Sequence, residues 1–198
     1  MKPTQVMEAE HRFIEMVVKA LGRLAVAVEN GRPIDISLLT AAVEFLRLYA
    51  DKLHHGKEET LLFPLLVKRG VPAHGCPIDG LNHEHEKGRA LVRALAEQAL
   101  AYDQGQPDAA ESLGETLRGL LDLYQGHIWK EDAMVFPMAD KLLSADDQHE
   151  LSAKFAVVDH AIGLGTIARL ESFAKSLEST ALGPRPTEPT SCGCSASR

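Results

Sequence analysis

His54-His-Gly-Lys-Glu58-Glu-Thr-Leu-Leu-Phe63-Pro64 aligns without a gap against His127-Ile-Trp-Lys-Glu131-Asp-Ala-Met-Val-Phe136-Pro137. His, Lys, Glu, Phe and Pro coincide, Glu59 faces Asp132, and both copies read H-x-x-x-E. Five identities in eleven positions mean that one local structure is used twice, once in each half of the chain. On a helix, residues four apart lie one turn apart on the same face. Each copy therefore presents an imidazole and a carboxylate side by side.

Around this repeat, apolar residues recur at helical spacing from Thr4 to about Thr180, and strand-like alternation does not persist. A first helix carries Ile14, Val17, Val18, Leu21, Leu24, Ala25 and Val28 and stops at Gly31 and Pro33. A second, capped by Asp35 or Ser37, runs to about Arg69 before a loop rich in Gly and Pro. A third spans about Asp79 to Asp103. Asp108 followed by Glu111 resembles a capping box for a fourth, which reaches about Leu143. Ser144, with Asp146 and Asp147 in the first turn, starts a fifth helix over about 145–179. Short loops between long amphipathic helices predict an all-α, up-down-up-down four-helix bundle with an additional C-terminal helix. Residues 1–180 form one domain in this reading, and 181–198, rich in Gly, Pro, Ser and Thr, form a disordered tail.

The chain of 198 residues carries 21 basic and 28 acidic side chains, a formal net charge of −7. That balance, with no Lys/Arg block, argues against nucleic acid or an anionic membrane as the main partner. No apolar stretch approaches the ~18 residues of a membrane span. The N-terminus lacks a signal-peptide core, and three cysteines make no disulfide framework. A reduced, cytoplasmic protein is expected.

Periodicity sorts the nine histidines. On the fourth helix the stripe Leu113, Leu117, Leu120, Tyr124, His127, Glu131, Met134, Met138 faces the core. The third helix turns Leu81, His85, Gly88, Val92, Leu95 and Ala99 inward and leaves His83 on a wetter face; the first places His11 with Ile14, Val18, Leu21 and Ala25. The second helix is less regular. His54 and Glu58 share a line with Leu61 and Leu65, while His55 and Glu59 share one with Leu62 and Leu66; the gapless repeat favours His54. One inward histidine on each of four helices thus meets two inward glutamates. Two buried carboxylates repel each other and cost several kcal/mol unless positive charge lies between them. Four imidazoles and two carboxylates converging inside a bundle form a dinuclear metal constellation, with His11, His54, Glu58, His85, His127 and Glu131 as ligands.

Glu10-His11-Arg12, the two H-x-x-x-E stretches and Glu84-His85-Glu-Lys-Gly-Arg89 together resemble the hemerythrin-like family of HHE cation-binding domains over roughly positions 5 to 143. The resemblance implies a non-haem centre of two iron ions, bridged by carboxylates and an oxo or hydroxo group, in a four-helix bundle. It also implies an ability to bind, sense or reduce O2, peroxide or nitric oxide, or to handle iron under oxidative or nitrosative stress. The oxygen-carrier branch uses five histidines and an Asp in the last motif. Here the third helix offers one inward histidine and the last carboxylate is Glu131, which weighs against reversible oxygen storage.

Glu59 and Asp132 are candidates to orient an imidazole or carry protons, as metal-bound histidines donate their second N–H to an acceptor. Tyr124, one turn before His127, is within reach of the site. His160, on the fifth helix with Val157 and Leu164, is a candidate extra ligand or proton shuttle if that helix closes over the bundle end. His55, His74, His83 and His149 read as surface or loop residues. Cys192-Gly-Cys194 could capture a soft metal or serve as a redox pair, or be incidental. Expected partners are a small diatomic or peroxide ligand and an electron donor, with the chain a monomer or homodimer. A passive iron-sequestering protein and a metal-free helical interaction module are the alternatives.

Overall fold

Proline in the first turn, whose missing N–H is no loss there, opens α1 (Pro3–Glu29), and Gly31 adopts the left-handed conformation (φ 65°) that ends it. The computed structural model describes residues 1–179; the expected tail with Cys192 and Cys194 lies outside them. Asp35 accepts the Ser37 N–H at 2.9 Å and caps α2 (Ile36–Phe45). Without a break in direction, α2 continues as a π-helix over Leu46–His55. A second π-helical stretch, Glu58–Leu62, follows and leads into α3 (Phe63–Lys68).

The second half repeats this plan. α4 (Ile78–Asp103) is followed by α5 (Ala109–Lys130), a π-helical turn over Glu131–Val135, and α6 (Phe136–Leu142). In both halves the N–H of the repeated phenylalanine, Phe63 or Phe136, bonds five residues back, to the carbonyl of the motif glutamate. Proline clashes with the carbonyl four residues back in a regular helix. The wider turn before Pro64 and Pro137 opens that position.

Two expectations at helix ends are corrected. Asp108 is left-handed (φ 59°) and its side chain makes no capping bond, so the Asp108/Glu111 box does not form. Ser144 and Asp147 do form a reciprocal capping box, at the start of α7 (Ala145–Ile162). The single C-terminal helix expected over 145–179 is two, α7 and α8 (Leu164–Ser179), bent by 84° at Gly163, whose φ of 95° favours glycine.

α1 packs on α5, α5 on α4, α4 on α2 with its π-helical continuation, and that continuation on α1, closing the antiparallel four-helix bundle. α8 lies along α1, and α7 crosses the π-helical stretches. Buried side chains form two apolar clusters. One holds Ile14, Leu21, Tyr49, Leu95, Leu117 and Ile128; the other holds Met7, Leu62, Phe63, Leu81, Val135 and Phe136. Between them in each arm of the bundle falls a histidine or glutamate that is buried without being apolar. Among the described residues no single helix is long and apolar enough to cross a membrane.

Candidate metal centre

The six expected residues meet in that polar layer, all of them buried. Their Nε2 atoms and carboxylate oxygens form a closed ring. His11 Nε2 lies 2.9 Å from His54 Nε2, and His85 Nε2 lies 3.1 Å from His127 Nε2. Glu131 spans the two pairs, one oxygen 3.1 Å from His11 and the other 3.3 Å from His127. Glu58 spans them from the other side, 3.7 Å from His54 and 3.4 Å from His85. Each carboxylate thus offers one oxygen to each histidine pair, the arrangement that bridges two cations.

The outer nitrogens are fixed with equal regularity. Nδ1 of His11 faces Asp132 at 2.6 Å and Nδ1 of His85 faces Glu59 at 2.6 Å; those of His54 and His127 face Glu10 and Glu84, each at 3.0 Å. An ionised carboxylate only accepts, so each Nδ1 must donate its proton. The Nδ1 proton of each ring is thereby fixed outward, so that loss of any Nε2 proton leaves a lone pair pointing inward. Glu59 and Asp132 therefore occupy the orienting positions expected of them, and they are themselves held by Arg89 and Arg12. Phe136 stacks on the His11 ring at 5.3 Å and Phe63 on the His85 ring at 6.0 Å, which walls both from water.

All four oxygens of Glu58 and Glu131 are buried without a hydrogen-bond partner. Burial, together with the charge of Glu58, pushes the Glu131 carboxyl up; against its own burial, the surrounding imidazoles hold Glu58 below the usual carboxylate range. Burial drives His11 and His85 down, but the carboxylates around each more than offset it and raise both to about 9. His54 shifts the other way, through burial first and its cationic neighbours after. Buried carboxylate oxygens without a hydrogen-bond partner, ringed by inward Nε2 atoms, are what a divalent cation satisfies when it displaces the protons of His11 and His85. Imidazole and carboxylate without thiolate suit iron, manganese or zinc over soft Cu(I) or hard Mg2+.

A family model for the hemerythrin HHE cation-binding domain matches residues 2–139. The chain belongs to that family. It is also similar to uncharacterized mycobacterial proteins, Mb2018 of Mycobacterium bovis and Rv1995 of Mycobacterium tuberculosis H37Rv, each 26% identical over 125 residues. The match covers 62% of this chain and 47% of theirs, so the chain spans about half the length of the curated relatives it matches.

Within this hemerythrin-like domain the structure adds one histidine and moves another away. His55, expected at the surface, is buried, stacked on His85 at 3.8 Å and parallel to Tyr124 at 6.2 Å. Burial pushes it down to about 3 against the pull of Asp51, so it is neutral, and neither ring nitrogen has a hydrogen-bond partner. Its donor atom falls within the same group as those of Glu58, His85 and His127, whereas His11, His54, Glu58 and Glu131 form the other group. The π-helix is the reason: more residues per turn than a 3.6-residue helix bring both His54 and His55 to the interior. Ile128 occupies the corresponding place in the second copy. Tyr124 is buried against His55, not against the Nε2 ring.

His160 is exposed and takes no part in the site. From α7 it is the neighbouring Asp159 that reaches toward the site, 2.6 Å from Lys57 Nζ. Lys57 is fully buried, ion-paired also to Glu10 and set over the Phe155 ring at 5.4 Å. Its counterpart Lys130 pairs with Glu84 but is 41% exposed. Neither lysine nor its glutamate was assigned a role from sequence, although the Lys of the repeat and the twin Glu-His dipeptides mark all four. Lys57→Met leaves Glu10 buried and uncompensated and is expected to cost about 3–5 kcal/mol in urea unfolding. Lys130→Met, at the surface, should cost less than about 1 kcal/mol.

Proposed function

We propose that this chain is a dinuclear non-haem iron protein that binds and reacts with a small oxidant: O2, peroxide or nitric oxide. The observation that carries this reading is the ring of four inward Nε2 atoms and two bridging carboxylates, with each Nδ1 pinned by its own carboxylate. Residues His11, His54, Glu58 and Glu131 would hold one ion, and His85, His127, Glu58 and Glu131 the other. Two ferrous ions held there would supply two electrons to a bound ligand.

The rest is the protein's work. Asp132, Glu59, Glu10 and Glu84 keep the imidazoles aimed, and Phe63 and Phe136 exclude water. Arg12 and Arg89 hold the orienting carboxylates ionised.

Anaerobic loading with Fe(II) followed by O2, peroxide or nitric oxide tests the reading. A new near-ultraviolet absorption on oxidant addition is expected; a spectrum indifferent to all three would leave a passive metal-binding protein. His85→Ala should lose metal by elemental analysis. His83→Ala, on an exposed face of the same helix, should retain it.

A further inference from the structure

The two H-x-x-x-E repeats are alike in sequence and unlike in cover. Over the first, α7 sets the Phe155 ring 5.4 Å from Lys57 Nζ and adds Asp159, so that this buried lysine meets two carboxylates, Glu10 and Asp159. The second repeat has no such cover among the described residues, and Lys130 is paired with Glu84 alone. Beside it Trp129, the single tryptophan of the chain, stands 63% exposed, and Met134 is half-exposed. The same places in the first repeat hold Gly56 and Leu61, both partly buried. Tryptophan and methionine are enriched at the centres of protein–protein contacts relative to free surface.

Asp122, Gly126, Trp129 and Ala133 form one exposed stripe along α5 and the π-helical turn that follows it. Nothing within the chain calls for glycine at 126, where a Cβ would meet no atom and where glycine weakens the helix. At Gly114 and Gly119 of the same helix a Cβ would touch Glu29 and Leu91. Asp122 is exposed and has no ion-pair partner among the described residues. The stripe therefore holds a bulky ring one turn from an open seat. It also holds a carboxylate without a cation about two turns from a lysine that has one carboxylate where its counterpart has two. Such a face is complementary to itself about a twofold axis across the helix. Two antiparallel α5 helices that set Trp129 over Gly126 also bring Lys130 within a turn of Asp122.

We infer that α5 is the contact between two subunits of this chain. Each Trp129 seats on the partner subunit's Gly126, and each Lys130 receives from the partner subunit's Asp122 the second carboxylate that Asp159 gives Lys57. With one helix from each side the contact is small, and a dissociation constant of about 1–100 μM is expected.

Sedimentation velocity of the full chain should show single chains at about 0.1 μM and pairs at about 500 μM. Emission from Trp129 should move to the blue over the same range as the ring leaves water. Gly126→Leu, which fills the seat and keeps the ring, should stay a single chain with unmoved emission; Trp129→Ala should stay single too. Asp122→Lys and Lys130→Glu each set like charges face to face and should self-associate at least about tenfold more weakly. Mixed in equal amounts, those two variants should pair as tightly as wild type, because every contact in the mixed pair joins opposite charges. That recovery would also show both variants to be folded. A wild type that stays single at the upper concentration overturns the inference, as does a pair that Gly126→Leu leaves intact. A mixture that associates no more tightly than its components overturns the assignment of Asp122 to Lys130.

Discussion

Glu58→Ala is expected to empty both cation positions at once, taking metal content from about two per chain to well below one. Its two oxygens face His54 and His85, one from each histidine pair, and both candidate donor groups include it. Loss of an end-on histidine leaves three donors around one position and all donors around the other. Loss of Glu58 removes a donor from each position and the bridge that holds them together. Elemental analysis after anaerobic loading reads the outcome, with Glu86→Ala, an exposed residue of α4, as the control that should retain metal. Retention of a full complement by Glu58→Ala would mean that the carboxylate does not bridge.

Chelation should carry the second-largest effect, and its pH dependence has a definite sign. Occupancy at about a thousandfold over Kd contributes about 4 kcal/mol per site. Two sites in a domain of this size then correspond to a fall in Tm of about 15 °C or more on removal of the metal. His11 and His85, raised from 6.5 to about 9 by their carboxylates, supply the positive charge between Glu58 and Glu131 when no cation does. A group whose folded pKa is raised contributes its full stability below the unfolded value, here about 6.5, and loses it as pH rises through about 9. The chelated protein should therefore melt at progressively lower temperature between pH 6.5 and 9.5. Metal uptake must displace the same protons, so affinity for metal should rise over that interval and the gap between loaded and chelated protein should widen. Differential scanning calorimetry with and without chelator measures both. A chelated protein that gains stability across this range would contradict the assignment of charge to His11 and His85.

The repeat and the apolar stripes sufficed to place His11, His54, Glu58, His85, His127 and Glu131 in one buried layer, because α1, α4 and α5 are regular helices up to the ligands. Past each motif glutamate the same periodicity fails by one residue. Met134 is half-exposed and Val135 fully buried; Leu62 and Leu66 are buried where Leu61 and Leu65 were expected. A π-helical turn inserts a residue without any local composition that announces it, so a 3.6-residue template slips there. The same geometry explains why the second helix had no clean stripe and why His55 was set at the surface.

Elsewhere the misses have other causes. His160 lies with Val157 on the side of α7 that faces solvent, and the packing of α7 turns Asp159 inward in its place. Glu10 and Glu84 precede inward histidines in sequence, yet each serves the histidine of a different helix, His54 and His127. Only the assembled bundle brings those pairs together. The matched Glu-His and His-x-x-Lys-Glu spacings were nonetheless visible, and they now read as two copies of one ligand-and-brace unit. Lys57 departs from Lys130 because α7 covers the first copy and leaves the second open.

The central claim is that the layer of imidazoles and carboxylates holds two bridged cations. Anaerobic titration with ferrous ion, followed by equilibrium dialysis and elemental analysis, tests it most directly. Uptake is expected to saturate at about two ions per chain, both lost together in Glu58→Ala. Saturation at one ion, or no uptake by a folded chain, would contradict it.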